Sequence, residues 1–307
     1  MPSSRRGRTP STSGSRAGAG AARAASWTGA GLKGWSRGGA RGELDWGELA
    51  QAVGLATARR AEIHVALNTI PKPRERAALF DQVPRVLDLG VHTVIANDLG
   101  ILADLHRRFP TLRLTASIGC GAQTAADVAF FREVGADAVV LPGTVGPDEA
   151  AECVAVGGIT VEVMLHMVEE FVLLGRCSMP SYVHLKPTAL PEAGGLVDAM
   201  RQTGSMKRGG VGACFRICQE PWAAEDGAGR RAAFTFPSRQ LSREADVAGY
   251  VRAGVGVLKL QGRSLPAEQL TPLVARYRRA LDAAKAGEPV PPPPEAALPP
   301  RWTVVGR

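Results

Sequence analysis

Hydrophobic residues recur along the chain with two alternating periods. Short apolar runs of strand type are followed by longer stretches in which apolar residues recur every three or four positions, as on one face of a helix. The pattern predicts strands at 63–67, 93–96, 112–117, 138–141, 160–165, 233–236 and 255–260. It predicts helices at 44–56, 74–89 (interrupted by Pro84), 101–109, 125–134, 148–156, 244–252 and 267–284. Strands that alternate with helices at a spacing of about 25–30 residues predict an α/β fold with a parallel sheet, either a TIM-like (β/α) barrel or a doubly wound sheet.

Three segments depart from this alternation. Residues 1–30 are rich in Arg, Ser, Gly and Ala and have no hydrophobic period, so we predict that they are disordered. Residues 178–213 contain several prolines and glycines and are predicted to be an irregular excursion within the domain. Residues 286–307 are rich in proline and are predicted to form an extended tail. The barrel domain is therefore predicted at 31–285.

Polar residues follow the ends of several predicted strands. They are Asn68, Asn97, Asp98, Ser117 and His166. In a parallel barrel the carboxyl ends of the strands meet on one face, which is where active sites lie. Asn and Asp at such positions are also common helix caps and turn residues, so both interpretations are open for each of them.

The formal net charge of +8 is concentrated at the start of the chain. Residues 1–42 carry eight basic residues and no acidic one, and the remaining 29 basic residues balance the 29 acidic residues. This balance disfavours nucleic acid as a partner, because phosphate contacts dominate such binding. No apolar run reaches the roughly 18 residues of a membrane span, and no signal-peptide core is present. We therefore expect a cytoplasmic protein without a membrane span.

The cysteines indicate a metal site. The chain has five, an odd number, and without a secretion signal they are expected to be reduced. Cys177, Cys214 and Cys218 lie in predicted loops next to glycines or within a few residues of them, where thiolates can converge on a soft metal. An iron–sulfur cluster and a zinc ion both take four ligands. Candidates for the fourth position are Glu170, His184 and Cys120.

Four segments, taken in order, resemble peptidase family U32. They are Glu162-Val-Met-Leu-His166, Gly175-Arg-Cys177, Gly212-Ala-Cys214-Phe-Arg-Ile-Cys218 and Leu258-Lys-Leu-Gln-Gly-Arg263. The resemblance implies a TIM-like barrel and, as in several members, a four-iron (4Fe-4S) cluster. It also implies a role in oxygen-independent hydroxylation of a ubiquinone precursor, transfer RNA or ribosomal RNA, with prephenate as oxygen donor. Other members of the family are described as peptidases.

This sequence departs from the family pattern at defined positions. Glu170 stands where the family has its first cluster cysteine, so the cysteine set is incomplete and zinc or no metal are alternatives. Gln261 replaces a glutamate of the last strand, and Met167-Val168 replaces Gly-Ala. The low-complexity segment occupies the place of the first strand. We therefore expect a barrel that lacks or degrades its first strand and carries an irregular cysteine-bearing insertion.

The resemblance leads to a hypothesis for the site. A redox enzyme would use His166, Glu162, Asp98 and Asn68 in catalysis, with His166 as a proton shuttle. Lys259 and Arg263 would bind a carboxylate-rich donor, and Cys177, Cys214, Cys218 and Glu170 would hold the cluster. The structural alternatives are ion pairs of Lys259 and Arg263 with Glu162 or Asp98, and a core role for His166.

Two other functions remain open. A peptidase is the first, although the chain has neither a Gly-x-Ser-x-Gly nor a His-Glu-x-x-His motif, and a dyad of His166 with Cys177 or Cys120 would have to act instead. The second is a non-catalytic protein that carries a cluster and acts with a partner of the same family. In each case the sequence leaves the substrate undefined.

Overall fold

The structure is a computed structural model that describes most of the predicted barrel domain. The described residues are 27–32, 43–68, 71, 73–169, 185–187, 200–202, 222–225, 227–234, 239–262 and 265–291. Among them, no helix is both long enough and apolar enough to cross a membrane.

Strands and helices alternate through the described residues. The strands are β1 (Trp27–Leu32), β2 (Glu43–Leu44), β3 (Ile63–Leu67), β4 (Thr93–Ala96), β5 (Arg113–Ala116), β6 (Ala138–Leu141), β7 (Thr160–Glu169), β8 (Leu185–Pro187), β9 (Met200–Gln202), β10 (Trp222–Glu225), β11 (Arg231–Phe234), β12 (Arg239–Ser242) and β13 (Val257–Leu260). The helices are α1 (Trp46–Ala58), α2 (Arg76–Phe80), α3 (Val83–Asp88), α4 (Leu99–Arg108), α5 (Ala125–Val134), α6 (Pro147–Ala155), α7 (Val247–Arg252) and α8 (Ala267–Ala286).

The main sheet is parallel and has the strand order of a TIM-like fold. Neighbouring strands follow the order β2-β1-β3-β4-β5-β6-β7-β13, with every pair parallel. Strand β12 is the exception, because it runs antiparallel to the second half of β7. Two further antiparallel pairs, β8 with β9 and β10 with β11, lie outside this sheet. The predicted α/β, TIM-like fold is therefore confirmed.

The main core lies between the sheet and its helices. Alternate strand residues, such as Val65, Val94 and Leu114, pack into one cluster with helix residues such as Leu102 and Leu105. Because side chains alternate across a strand, the intervening residues face the concave side of the sheet. Burial of the apolar set holds the barrel together and leaves the concave side free to carry polar groups.

Local signals explain where the helices begin and end. Asp45 caps α1 and Thr124 caps α5, each in a capping box with an acidic residue three positions later. The predicted helix at 74–89 is divided, because α2 ends at Phe80 and Pro84 lies in the first turn of α3. The predicted interruption at Pro84 is thus confirmed.

The structure describes a strand across one predicted boundary and part of one predicted segment. Strand β1 occupies the position of the first strand beside β3, so residues 27–30 do not belong to a disordered segment. The strand is irregular, with a register shift between Thr28 and Ala30. The first strand is thus present in degraded form, held by backbone hydrogen bonds that a hydrophobic pattern does not report. Within the predicted excursion 178–213, the described residues form the β8–β9 pair. The rest of this excursion lies outside the described residues. So do residues 1–26 and residues 292–307.

The turn after α5 requires glycine. Gly135 ends α5 with φ of 99°, and a Cβ there would lie 2.3 Å from Cγ of His106. We expect Gly135→Ala to lower the free energy of unfolding by about 1–2 kcal/mol, because an L residue is strained in this conformation. Gly54→Ala is the matched control, since a Cβ within α1 meets nothing within 4 Å. That variant should gain about 0.5–1 kcal/mol. Equal effects of both changes in urea unfolding would contradict this account of Gly135.

Candidate functional site

The concave face of the barrel is rich in buried and half-buried polar residues. They alternate with the apolar residues of the helix-facing core and lie on, or directly after, five of the strands. The set is His64, Asn68, Thr93, Asn97, Thr115, Ser117, Glu162 and Lys259. Buried polar groups cost free energy unless they are hydrogen-bonded, so a polar interior on this scale indicates a site rather than a packed core.

Three of these residues form a row at the carboxyl end of the barrel, which we call the amide row: Asn68, Asn97 and Ser117. Each follows its strand directly, and the strands pair in register with Leu67 beside Ala96 and Ala96 beside Ala116. Ladder hydrogen bonds continue through the row, from Asn97 N to Leu67 O and from Ser117 N to Ala96 O. Neighbouring members are therefore on adjacent strands, which lie about 4.8 Å apart.

The amide row contains hydrogen-bonding atoms without partners. Asn97 is 1% exposed, and neither its Oδ1 nor its Nδ2 has a hydrogen-bond partner. Oδ1 of Asn68 is also buried and unpaired. Such groups are rare in folded proteins, and each costs about 1–3 kcal/mol when it stays unsatisfied. A polar ligand or ordered water at this end would satisfy them.

A buried ion pair lies lower in the barrel. Nζ of Lys259 on β13 donates to Oε2 of Glu162 on β7 at 3.0 Å, and Glu162 is only 2% exposed. Burial lowers the pKa of His64 on β3; its hydrogen bond with Glu62, at 3.2 Å, and the charge of Glu162 oppose that shift, and the charge of Lys259 adds to it. Strands β3, β7 and β13 thus place one carboxylate, one ammonium group and one imidazole close together. This arrangement matches the structural alternative for Lys259.

His166 lies apart from this interior. Lys259 pairs with Met164 and Leu260 with His166, so the register shifts by one residue. Met164 and Met167 then share one cluster on the concave side, while Leu165 packs in the helix-facing core. The shift is a β-bulge, which turns the strand locally and places two successive side chains on one face. The His166 ring accordingly packs edge-to-face on Tyr277 of α8, with centroids 5.9 Å apart.

The environment of His166 disfavours its charged form. It is 6% exposed, and burial together with the nearby Arg276 lowers its pKa to about 4. Oη of Tyr277 lies 3.5 Å from its Nδ1 and 2.9 Å from Oγ of Ser242. The structure therefore does not bring His166 together with Glu162 at the mouth of the barrel, and a proton-shuttle role stays a prediction.

The other predicted site residues divide into two groups. Asp98 is the N-cap of α4, where its Oδ1 accepts from Ile101 N at 2.9 Å, as the capping interpretation predicts. The proposed ligands and the second basic residue lie outside the described residues: Cys177, Cys214, Cys218, Glu170, His184 and Arg263. In the described part of the chain, no group of three or more His, Cys, Asp or Glu side chains could hold a metal ion. Strand β7 ends at Glu169, so the chain enters the predicted ligand segment from the carboxyl end of the barrel.

The sequence interpretation missed three members of the interior set. His64, Thr93 and Thr115 lie within strands rather than after them. Their signal was a polar residue within a predicted strand, which a search confined to strand ends passes over. Their shared face became evident only from the strand register.

The fold and this interior define an α/β barrel protein with a polar site at the carboxyl ends of its strands. Peptidase family U32 matches residues 30–298, and the chain belongs to that family. This confirms the resemblance carried by the four ordered segments.

Curated relatives from bacteria are similar over most of this chain. A 23S rRNA 5-hydroxycytidine C2501 synthase of Escherichia coli (strain K12) is 25% identical over 239 residues, which cover 77% of this chain and 33% of the relative. The tRNA hydroxylation protein P of the same organism is 23% identical over 282 residues, covering 80% and 61%. The tRNA hydroxylation protein P1 of Bacillus subtilis (strain 168) is 22% identical, covering 77% and 53%. The chain thus spans between a third and three fifths of the length of these relatives.

Solved structures show only a distant likeness. The U32 peptidase Mk0906 aligns with a TM-score of 0.39 and 14% identity, covering 45% of this chain and 60% of that chain. A putative lyase/mutase from Burkholderia cenocepacia J2315 aligns with a TM-score of 0.37 and 15% identity, covering 85% and 74%.

The Glu162–Lys259 pair should be strongly coupled. We expect Lys259→Met to lower the free energy of unfolding by roughly 3–5 kcal/mol, because it leaves a carboxylate buried without a counter-ion. Adding Glu162→Gln to that variant should restore most of the loss. The measurement is a double-mutant cycle in urea. Additive effects of the two substitutions would show that the pair does not interact in solution.

The neutral state of His166 should be visible in the pH dependence of stability. Its pKa in the folded protein, about 4, lies below the ordinary 6.5, so the unfolded chain takes up the proton first. Stability is then full above pH 6.5 and falls by about 3 kcal/mol as the pH drops towards 4. Urea unfolding across this range should give a shallower slope for His166→Phe. The residual slope includes His64, whose pKa is also lowered. An unchanged slope would contradict the burial of His166.

Proposed function

We propose that this chain is an enzyme of the RNA hydroxylation type, acting on a base of transfer or ribosomal RNA. The chain belongs to peptidase family U32. Three curated relatives from two bacteria are named for hydroxylation of tRNA or for synthesis of 5-hydroxycytidine in 23S rRNA. Since the chain spans only part of each relative, the activity of those whole proteins is a proposal for this one.

The observation that carries the proposal is the polar carboxyl end of the barrel. A barrel interior that serves only as a core is filled with apolar side chains. Here the end of the barrel carries the unpaired carboxamide of Asn97 and the unpaired Oδ1 of Asn68. The interior below them carries a buried ion pair. This supports a site that encloses a small polar group and supplies both hydrogen-bond donors and acceptors.

RNA takes precedence over a quinone precursor in this proposal. The neutral charge balance from residue 43 onward led us to disfavour nucleic acid, but the relatives named above are RNA-modifying proteins. The eight basic residues among the first 42 provide cations for phosphate contacts. An aromatic or quinone precursor is left as the alternative substrate, because the relatives named above are all named for RNA modification.

The cofactor and the oxygen donor are further parts of the proposal. Cys177, Cys214, Cys218 and Glu170 would hold an iron–sulfur cluster, which supplies electrons when bound. Prephenate, a dicarboxylate, would be the oxygen donor, bound through Arg263. Lys259 is already paired with Glu162, so it would bind the donor only by exchanging partners. A protein partner of the same family is a further part of the proposal.

A peptidase is less well supported. Its dyad would join His166 to a cysteine, yet the His166 ring packs on Tyr277 of α8. The thiol of Cys120 donates to the Ala96 carbonyl at 3.5 Å. Cys153 is buried within α6, and burial raises the pKa of its thiol, which opposes nucleophile formation. These contacts favour a binding site in the barrel over a nucleophile–base pair.

Hydroxylated nucleosides in RNA provide the test. The full chain would be expressed without air in a bacterial strain that lacks its own U32 RNA-hydroxylation proteins. Transfer and ribosomal RNA would then be digested separately and analysed by mass spectrometry. We expect a nucleoside one oxygen atom heavier than its parent, lost with Cys214→Ala and retained with Gln51→Glu, an exposed change on α1.

RNA that is indistinguishable from the empty-vector control, at equal levels of folded protein, would reject RNA hydroxylation by this chain. A parallel assay with a fluorescent casein substrate then decides whether the peptidase alternative gains support.

A further inference from the structure

We propose that the amide row recognises the hydrogen-bonding edge of a pyrimidine base and that Asn97 determines which base is accepted. The inference rests on the proposed function in one respect, namely that the ligand is RNA. It goes beyond that function because it assigns recognition to named residues and predicts base preference. Asn97 is a specificity-determining residue here, with no role in the chemical step.

The geometry of Asn97 is the primary observation. Its side chain is 1% exposed, yet its Oδ1 and Nδ2 both lack hydrogen-bond partners. The carboxamide is therefore held in place by packing, with one acceptor and one donor group unused. Asn68 adds a second buried, unpaired oxygen on the adjacent strand. Evolution of a core would favour an apolar residue at either place, since unpaired polar atoms are destabilising.

The composition of the chain supports a specific use. The sequence contains only two asparagines in 307 residues, Asn68 and Asn97. The strand register makes them neighbours, because they follow Leu67 and Ala96, which pair directly. The α-helices of the described residues that have a side-chain cap use Asp or Thr instead. Asparagine is thus confined to this one row, whereas glutamine occurs elsewhere in the chain.

The hydrogen-bonding groups of a carboxamide indicate which class of ligand the row can bind. Asparagine donates through Nδ2 and accepts through Oδ1, which matches a base edge that presents a donor beside an acceptor. The amide row has no formal charge, so it cannot neutralise a dicarboxylate such as the proposed oxygen donor. Lys259, which has the charge, is engaged by Glu162. A neutral, planar base with an amide-like edge is the better match, and the choice of a pyrimidine among the bases follows the rRNA relative, which is named for 5-hydroxycytidine.

Apolar residues beside the row provide a surface for the face of the base. Ile118 follows Ser117 directly and packs in a cluster with Val140, Met164 and Met167. Methionine side chains are flexible and adapt to different shapes. Enzymes that modify a base take it out of the stack, hydrogen-bond its edge and hold its face against apolar or aromatic side chains. The row and this cluster together supply both kinds of contact.

Base-dependent binding to the full-length protein tests the inference. The probes are short single-stranded RNAs of uridine only, of cytidine only, and of abasic ribose-phosphate, with affinity measured by fluorescence anisotropy. We expect the base-bearing RNAs to bind roughly tenfold more tightly than the abasic RNA. Asn97→Asp removes the donor and keeps acceptors. It should therefore weaken the binding of uridine RNA, whose O4 is an acceptor, by roughly tenfold, and weaken the binding of cytidine RNA, whose N4 amino group is a donor, much less. Gln51→Glu makes the same amide-to-acid change on the exposed surface of α1 and should alter neither affinity.

A second variant separates recognition from folding. Asn97→Leu keeps the branching at Cγ and removes the unpaired atoms, whose cost should offset the larger volume of leucine, so its melting temperature should stay close to that of the wild type. It should nevertheless lose the preference for base-bearing over abasic RNA. A stable Asn97→Leu protein that still prefers bases would overturn the proposal, as would an equal response of uridine and cytidine RNA to Asn97→Asp.

The two proposals fail in different ways. Base-dependent binding that requires Asn97, in a protein that produces no hydroxylated nucleoside, leaves the recognition site standing and rejects the activity. Hydroxylated RNA that is produced equally by wild type and by Asn97→Asp, from uridine and cytidine sites alike, rejects the recognition site and leaves the activity standing.

Discussion

The backbone pairing of strand β7 with three other strands is the interaction on which the rest of the described structure depends. It pairs in parallel with β6 and β13 and in antiparallel with β12, so it links the first six strands to the last. Because β6 and β13 take opposite edges of the same stretch, β7 has no free edge there. Its side chains supply Glu162 to the interior and Leu165 to the core. Its end leads into the segment that carries the predicted metal ligands. Without this strand, β13 and its Lys259 would no longer be joined to the first six strands.

The bulge in β7 decides how the two sides of the sheet are used. In a regular strand, Glu162, Met164 and His166 would share one face. The bulge instead returns Met167 to the concave side and directs His166 to α8. Tyr277 packs there and also hydrogen-bonds Ser242 of β12. His166 and Tyr277 therefore connect β7, β12 and α8. The charges of the interior are those of Glu162 and Lys259.

The buried polar groups of the interior lower the free energy of unfolding. Asn97, Thr93 and His64 each retain a buried atom without a partner, and the ion pair of Glu162 with Lys259 must offset the desolvation of two charges. The helix-facing core is apolar and holds these residues where they are. An apolar core packed around a polar interior whose buried atoms lack hydrogen-bond partners is the arrangement expected of a binding site. It supports a base of RNA as the enclosed group better than a charged donor at the same row.

The pattern of the sequence determined the elements and the family. Apolar periodicity gave the positions of the helices and of the strands from β3 to β7, because each element needs its own spacing to bury one face. The ordered motifs around Glu162 and Lys259 identified family U32. Local periodicity could not give the irregular first strand, which depends on backbone pairing with β3. It also placed His166 with the strand ends, since a one-residue shift between two strands is invisible within either strand.

What the sequence determined, then, is the class of each segment and the residue types available for chemistry. Tertiary structure decided which of them meet. Asn68 and Asn97 are 29 positions apart and become neighbours only through the register of β3 and β4. Glu162 and Lys259 are 97 positions apart and form their ion pair only because β7 and β13 are adjacent. The physical reason is that strand register is a cooperative property of the whole sheet, whereas hydrophobic period is a property of one segment.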